Sequence, residues 1–204
     1  MADIARAAGC SVGALYFRFH DKDALFASVV EVAMTQEVEK LQVQVDAGRY
    51  KDLSLKDTVD RCVQDYMDFV RRNELMICAL YQRSSDEPGY WGLVRMAAFR
   101  MVQIWIGVVA LAADRPNDRA FMRQVGTAFW FVSSSLVYAV LVIDQPVRPL
   151  STREQHFWLK QMVMHFIGLD LPEPMRQSAV MRPINTVLPA TRHVKISRKS
   201  KEQK

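Results

Sequence analysis

The sequence predicts an all-α fold, and three observations carry that prediction. Apolar residues recur at steps of three and four through several long stretches, which is the period of a helix face. No stretch of useful length alternates with period two. Glycine and proline number only eight each in 204 residues, too few for an all-β or fibrous chain. Half the residues are hydrophobic, enough for a sizeable core.

Residues 2–8 read as a short helix with Ile4, Ala5 and Ala8 on one face, stopped by Gly9. Glycine tolerates the left-handed conformation that ends helices. Ser11 is a good N-cap for a second short helix, in which Leu15 and Phe19 stand four apart. Asp21 then caps a long helix from about Lys22 to Asp46, with a stripe of Phe26, Val30, Met34, Val38, Leu41 and Val45. A break follows at residues 48–53. Ser54 caps the next helix, whose stripe is Leu55, Val59, Cys62, Val63, Tyr66, Met67 and Val70. A shorter helix spans about Glu74 to Arg83, and residues 84–89 read as a turn. Another long helix runs from about Tyr90 to Ala113, and Pro116 marks a second break. An apolar helix then continues to Ile143. Pro146 and Pro149 exclude helix interior, and Ser151 opens a last helix with Trp158, Met162, Phe166 and Leu169 facing one way. Beyond Leu171, four prolines and a lysine-rich end read as a disordered tail.

Charge and cysteine usage narrow the function classes. The net charge of +5 is not spread over the chain. The last 32 residues carry eight of the 27 basic side chains and two of the 22 acidic ones, leaving the rest nearly neutral. Only the tail is basic, so charge alone does not argue for nucleic acid. The tail reads as a solvated extension rather than a DNA-binding arm. Cys10, Cys62 and Cys78 are far apart and form no C-x-x-C, which disfavours a disulfide framework or zinc site and points to a reduced, cytoplasmic setting. Residues His20, His156, His165 and His193 have no metal-ligand spacing. The sequence contains no G-x-S-x-G, P-loop, G-x-G-x-x-G or H-E-x-x-H. We therefore expect no enzyme, no metal and no cofactor. Val125 to Ile143 is nineteen residues without a formal charge, near the ~20 that span a bilayer, and Met96 to Ala113 is similar but for Arg100. Serines 133, 134 and 135 inside the first stretch favour a buried helix of a soluble bundle, so no membrane partner is expected.

Two short helices joined at a glycine turn form a helix-turn-helix pattern, whose second helix would enter the major groove. Its start is small, with Ser11, Val12, Gly13 and Ala14, so the backbone can approach closely and apolar groups can meet a thymine methyl. Tyr16 and Arg18 offer a hydroxyl and a charge to phosphates. Lys22, in the first turn of the next helix, adds another at a helix N-terminus. His20 abuts the same surface. The run Ala2-Asp3-Ile4-Ala5-x-x-Ala8-Gly9-x-Ser11-x-Gly13-x-Leu15-Tyr16-x-x-Phe19-x-x-Lys22-x-x-Leu25 strongly resembles the DNA-binding signature of TetR-type transcriptional regulators.

That resemblance implies a homodimeric, operator-binding regulator, usually a repressor, released by a small apolar or aromatic effector. Its DNA-binding residues would be Ser11, Val12, Gly13, Ala14, Tyr16, Phe17, Arg18, His20 and Lys22. It implies three parts: residues 1–45 as the DNA-binding region with its connecting helix, 46–171 as the ligand-binding and dimerisation domain, and 172–204 as the tail. Aromatic and methionine-rich helices in the second part would enclose the effector, with Tyr66, Phe69, Tyr81, Trp91, Met96, Phe99 and Phe129 as its lining. The last two helices would pair with their twins, so the operator would be nearly palindromic. The family also has a helix ahead of the motif, and Met1 stands where that helix and its loop should have ended. The expectation is an N-terminally short form whose Ile4, Leu15 and Phe19 lack apolar cover. The alternative that follows is a ligand-binding dimer that no longer binds DNA.

Overall fold

In the computed structural model, residues 1–84, 89–141 and 150–169 are described; the expected turn at 84–89, the proline-bounded break before Ser151 and the basic tail fall wholly or mostly outside them. The chain divides into a compact unit, Met1–Leu171, and a second unit, Pro172–Lys204, which lies outside the described residues. The first unit is all helix, with no strand among the described residues. In chain order it comprises α1 (Ala2–Ala7), α2 (Val12–Arg18), α3 (Lys22–Asp46), α4 (Leu55–Arg72), α5 (Glu74–Ser84), α6 (Gly89–Ala112), α7 (Arg119–Leu141) and α8 (Thr152–Phe166).

The helix boundaries follow from local chemistry. Ser11, Asp21 and Ser54 each accept a bond from the backbone N–H three residues on, at 3.1, 2.7 and 3.1 Å. Ser151 and Glu154 form a reciprocal capping box, satisfying two otherwise orphaned donors. Asp118 caps α7 through the N–H groups of Ala120 and Phe121, at 3.0 and 2.9 Å. Those bonds, with Arg115 alongside, hold its carboxyl below the usual carboxylate range. α1 has no side-chain cap. It ends in a Schellman turn: Gly9 sits at φ +65°, Gly9 N–H donates to the Arg6 carbonyl, and Cys10 N–H donates to that of Ala5. Such a left-handed cap is where glycine is favoured.

The core lies in the helices after α2. α3 packs along α6, α6 along α7, and α8 against both α4 and α7. The stripe expected on α4 is buried apart from half-buried Leu55, and that on α3 is buried at Val30, Met34 and Leu41 and half-buried between. At the centre, Trp105 of α6 is fully buried between Tyr66 and Phe129, with ring centroids at 5.0 and 5.5 Å. Its indole N–H donates to the Tyr50 hydroxyl at 3.2 Å. Tyr50 in turn donates to Asp65 at 2.6 Å, and Arg49 closes the chain onto Asp65 at 2.9 Å. The buried Tyr66 hydroxyl pairs with that of Ser133.

α8 differs from its expected orientation. It buries Leu159, Val163 and Met164, with Ile167 buried just past its end, while Trp158, Met162, Phe166 and Leu169 lie alongside that face; Trp158 is exposed and the other three half-buried. The two stripes are offset by one residue, about 100° of rotation, and both are apolar, so spacing alone does not choose between them. Helical segments Trp91–Ala112 and Arg119–Leu141 are long and apolar enough to cross a membrane. The same length and composition suit core helices, and these two pack on one another around Trp105 and Phe129.

Candidate nucleic-acid interface

The N-terminal end is built on very little apolar cover. Across the first 25 residues the buried side chains are Ala5, Leu15 and Leu25, one from each of α1, α2 and α3. Of the side chains expected to lack cover, Ile4 is 40% exposed, Phe19 is half-buried and Leu15 is buried. Local bonds therefore carry much of the geometry: the Schellman turn after α1, the Ser11 cap of α2 and the Asp21 cap of α3 place the helices within a few residues of one another.

All nine sequence-predicted DNA-binding residues are exposed. Ser11, Val12, Gly13, Ala14, Tyr16, Phe17 and Arg18 are exposed on α2 or at its cap, His20 lies exposed in the connection, and Lys22 is exposed in the first turn of α3. Leu15 points inward as the anchor, so the opposite face of α2 is free along its length. An exposed short helix, flanked by a second helix N-terminus bearing a lysine, combines what groove reading and phosphate clamping need.

Two ionic contacts that the sequence does not reveal tie this end to the body. Arg83, at the end of α5, pairs with Asp23 in the first turn of α3, and its guanidinium lies over the Phe26 ring, 4.5 Å from the centroid. Farther along α3, Glu37 accepts from Lys40 at 2.8 Å and from Arg72 of α4 at 2.9 Å. Burial opposes ionisation of Glu37, but its two cations prevail and hold its carboxyl below the ordinary value. Residues 60 and 35 positions apart leave no periodic signal, and no other sequence signal pointed to these pairs.

The seven residues expected to line an effector site are distributed rather than gathered. Tyr66, Phe69 and Phe129 belong to the buried aromatic centre around Trp105. Tyr81 and Trp91 meet edge to face at 5.8 Å where α5 leads to α6. Met96 faces a small cleft between α3 and α6. Phe99 lies on a shallow apolar groove of about 460 Å³ between α6 and α7. Trp130 connects that groove to a neighbouring one of about 300 Å³, lined by Trp91, Arg95, Ser133, Ser134 and Tyr138 among others. Another cleft, about 240 Å³ and strongly charged, opens between α3 and α4 over Trp105.

Comparison with known proteins reaches only the N-terminal end. Residues 1–29 match the family model described as bacterial regulatory proteins, tetR family. That span contains α1, α2, the start of α3 and all nine of the exposed residues described above. No curated protein and no solved structure matches the chain.

Proposed function

We infer that this chain, whose residues 1–29 match the family model of bacterial regulatory proteins, tetR family, acts in the cytoplasm as a homodimeric repressor whose grip on a near-palindromic operator is released by a small apolar or aromatic effector. The observation that carries the reading is the exposed face of α2 beside Lys22, which coincides with the stretch matched by the family model. Residues 1–45 form the reading end and its connecting helix, residues 46–171 the effector-binding and pairing body, and residues 172–204 an extension.

Pairing is supported by the outer faces of α7 and α8. Trp130, Phe131 and Tyr138 on α7 and Trp158 on α8 are large apolar side chains left open to solvent. A symmetric four-helix seam would cover them and set the spacing of the two α2 helices. The effector would enter the groove between α6 and α7, where Trp91 and Trp130 supply aromatic walls and Arg95, Ser133 and Ser134 polar groups. Trp130 would then touch both effector and seam. A ligand favouring one arrangement of the seam changes the spacing of the reading helices, and that differential affinity is what releases DNA.

Fluorescence anisotropy of the full 204-residue chain on DNA from its own upstream region, over a salt series, tests this. Arg18 and Lys22 from two protomers supply four cations, so log affinity should fall against log salt with a slope of about −3.6. Sequence-selective binding with such a slope supports the proposal. Nonselective binding at every salt concentration refutes it and leaves a ligand-binding dimer.

A further inference from the structure

Gly13 and Phe17 are two residues that the folded chain itself does not explain. Each lies about 160° around the helix from buried Leu15, and they are about 40° from each other, so together they form the outermost ridge of α2. Phe17 is 95% exposed, the highest of the exposed large hydrophobic side chains among the described residues. Gly13 has an ordinary helical backbone with no positive φ, and a Cβ there would meet only Ser11 Oγ, at 3.8 Å. Neither backbone nor packing asks for glycine, the poorest helix former after proline. An exposed ring and an unexplained glycine, one turn apart on the ridge facing away from the protein, are accounted for together by a surface that approaches α2 from outside.

We propose that Phe17 is a specificity-determining residue that reads the C5-methyl group of a thymine in each operator half-site, with Gly13 allowing the α2 backbone near enough for the ring to reach it. This rests on the DNA-reading function proposed above. The chemistry selects thymine because its methyl is an apolar feature of the major-groove edge, whereas the other base edges there present donors and acceptors. A phenyl ring satisfies none of those and would leave them desolvated without a partner. Tyr16 and Arg18, to either side of the ridge, remain free for the backbone phosphates.

The test begins with selection of a preferred site from a randomised duplex by the full chain. Each thymine of that site is then replaced by deoxyuridine, which removes only the methyl. One thymine position should weaken binding about fourfold per half-site, or about fifteenfold when both are changed, as expected for one buried methyl apiece. Phe17→Ala should bind thymine and deoxyuridine duplexes alike, with an unchanged salt slope and an unchanged melting temperature, since the ring packs on nothing. Gly13→Ala should melt at the same or a higher temperature yet bind DNA more weakly, a pairing that a purely structural glycine would not give. A wild-type chain that selects a site but ignores every thymine methyl overturns this inference alone, as does a Phe17→Ala variant that retains the methyl dependence. A wild-type chain that selects no sequence overturns the DNA-reading function and this inference with it.

Discussion

Helices α2 and α4 are specified from opposite sides. α4 has 18 residues and buries eight of them, Thr58, Val59, Cys62, Val63, Tyr66, Met67, Phe69 and Val70. α2 has seven residues and buries one, Leu15. The identity of those eight residues of α4 is constrained by their neighbours in the fold. On α2 the fold constrains only the anchor and the cap. What stands on the remaining face is left to whatever meets the helix from outside, and there it carries Gly13, Tyr16, Phe17 and Arg18. The body is held by packing, and the N-terminal end by capping bonds and a few anchors. Perturbations should therefore act globally in the first region and locally in the second.

The largest expected effect is in the body. Trp105→Ala removes a fully buried ring wedged between Tyr66 and Phe129 and strips Tyr50 of a donor. A loss of about 3–5 kcal/mol is expected, read as a lower urea midpoint for the whole unit. If the midpoint moved by less than about 1 kcal/mol while α2 exchange sped up, the contrast between the regions would be wrong. Tyr66 provides the next largest effect, through pH. Burial raises its hydroxyl to about 12 from the ordinary 10. Because the folded value is the higher, this contribution is complete below pH 10 and is lost as pH rises toward 12. It amounts to about 2–3 kcal/mol. Tyr66→Phe has no proton to lose there, so its stability should decline less steeply than wild type between pH 9.5 and 11.5. Parallel declines would mean that the Tyr66 hydroxyl is not held buried and neutral.

The same contrast explains what the sequence revealed. The α4 stripe and the Ser11, Asp21, Ser54 and Ser151 caps were legible because each is a local rule: a period, or a side chain reaching three residues on. The likeness of the N-terminal end to a family signature was legible for a different reason, since its thirteen specified positions lie within 24 consecutive residues. The orientation of α8 was not legible, because Leu159, Val163 and Ile167 make as good an apolar stripe as Trp158, Met162 and Phe166, and only α4 and α7 choose between them. The Asp118 cap was not legible, because Pro116 alone accounts for the break. Aromatic residues of the body carry the same pattern whether a ring packs in the core, as Tyr66 does, or lies open on a groove, as Phe99 does.

At the N-terminal end, Ser11→Ala removes the acceptor that holds Ala14 N–H at 3.1 Å. Its cost is about 1 kcal/mol, a change of roughly fivefold in a local equilibrium. With Leu15 as the sole buried residue of α2, that energy should appear as faster amide exchange in residues 12–18, with the body unchanged. Ser54→Ala removes an equivalent cap from α4. Its loss should instead appear in the global urea midpoint, because α4 opens only with the core. Finding the two substitutions indistinguishable, whether both local or both global, would break the comparison.

The smallest effect lies on the contacts that join the regions. Arg72→Ala releases Glu37 from α4, but the arginine side chain is 60% exposed, so solvent screens the pair and less than about 1 kcal/mol is at stake. The pH dependence identifies it better than the size. Glu37 titrates below its ordinary value when folded, so the pair stabilises above the unfolded carboxylate range and fades as pH falls through the depressed value. Wild type and Arg72→Ala should differ slightly in urea midpoint at pH 7 and converge toward pH 3. The variant should also show faster exchange along α3 near Glu37, with α4 unaffected. A difference that persisted at pH 3 would assign Arg72 a packing role on the body instead of a charged link to α3.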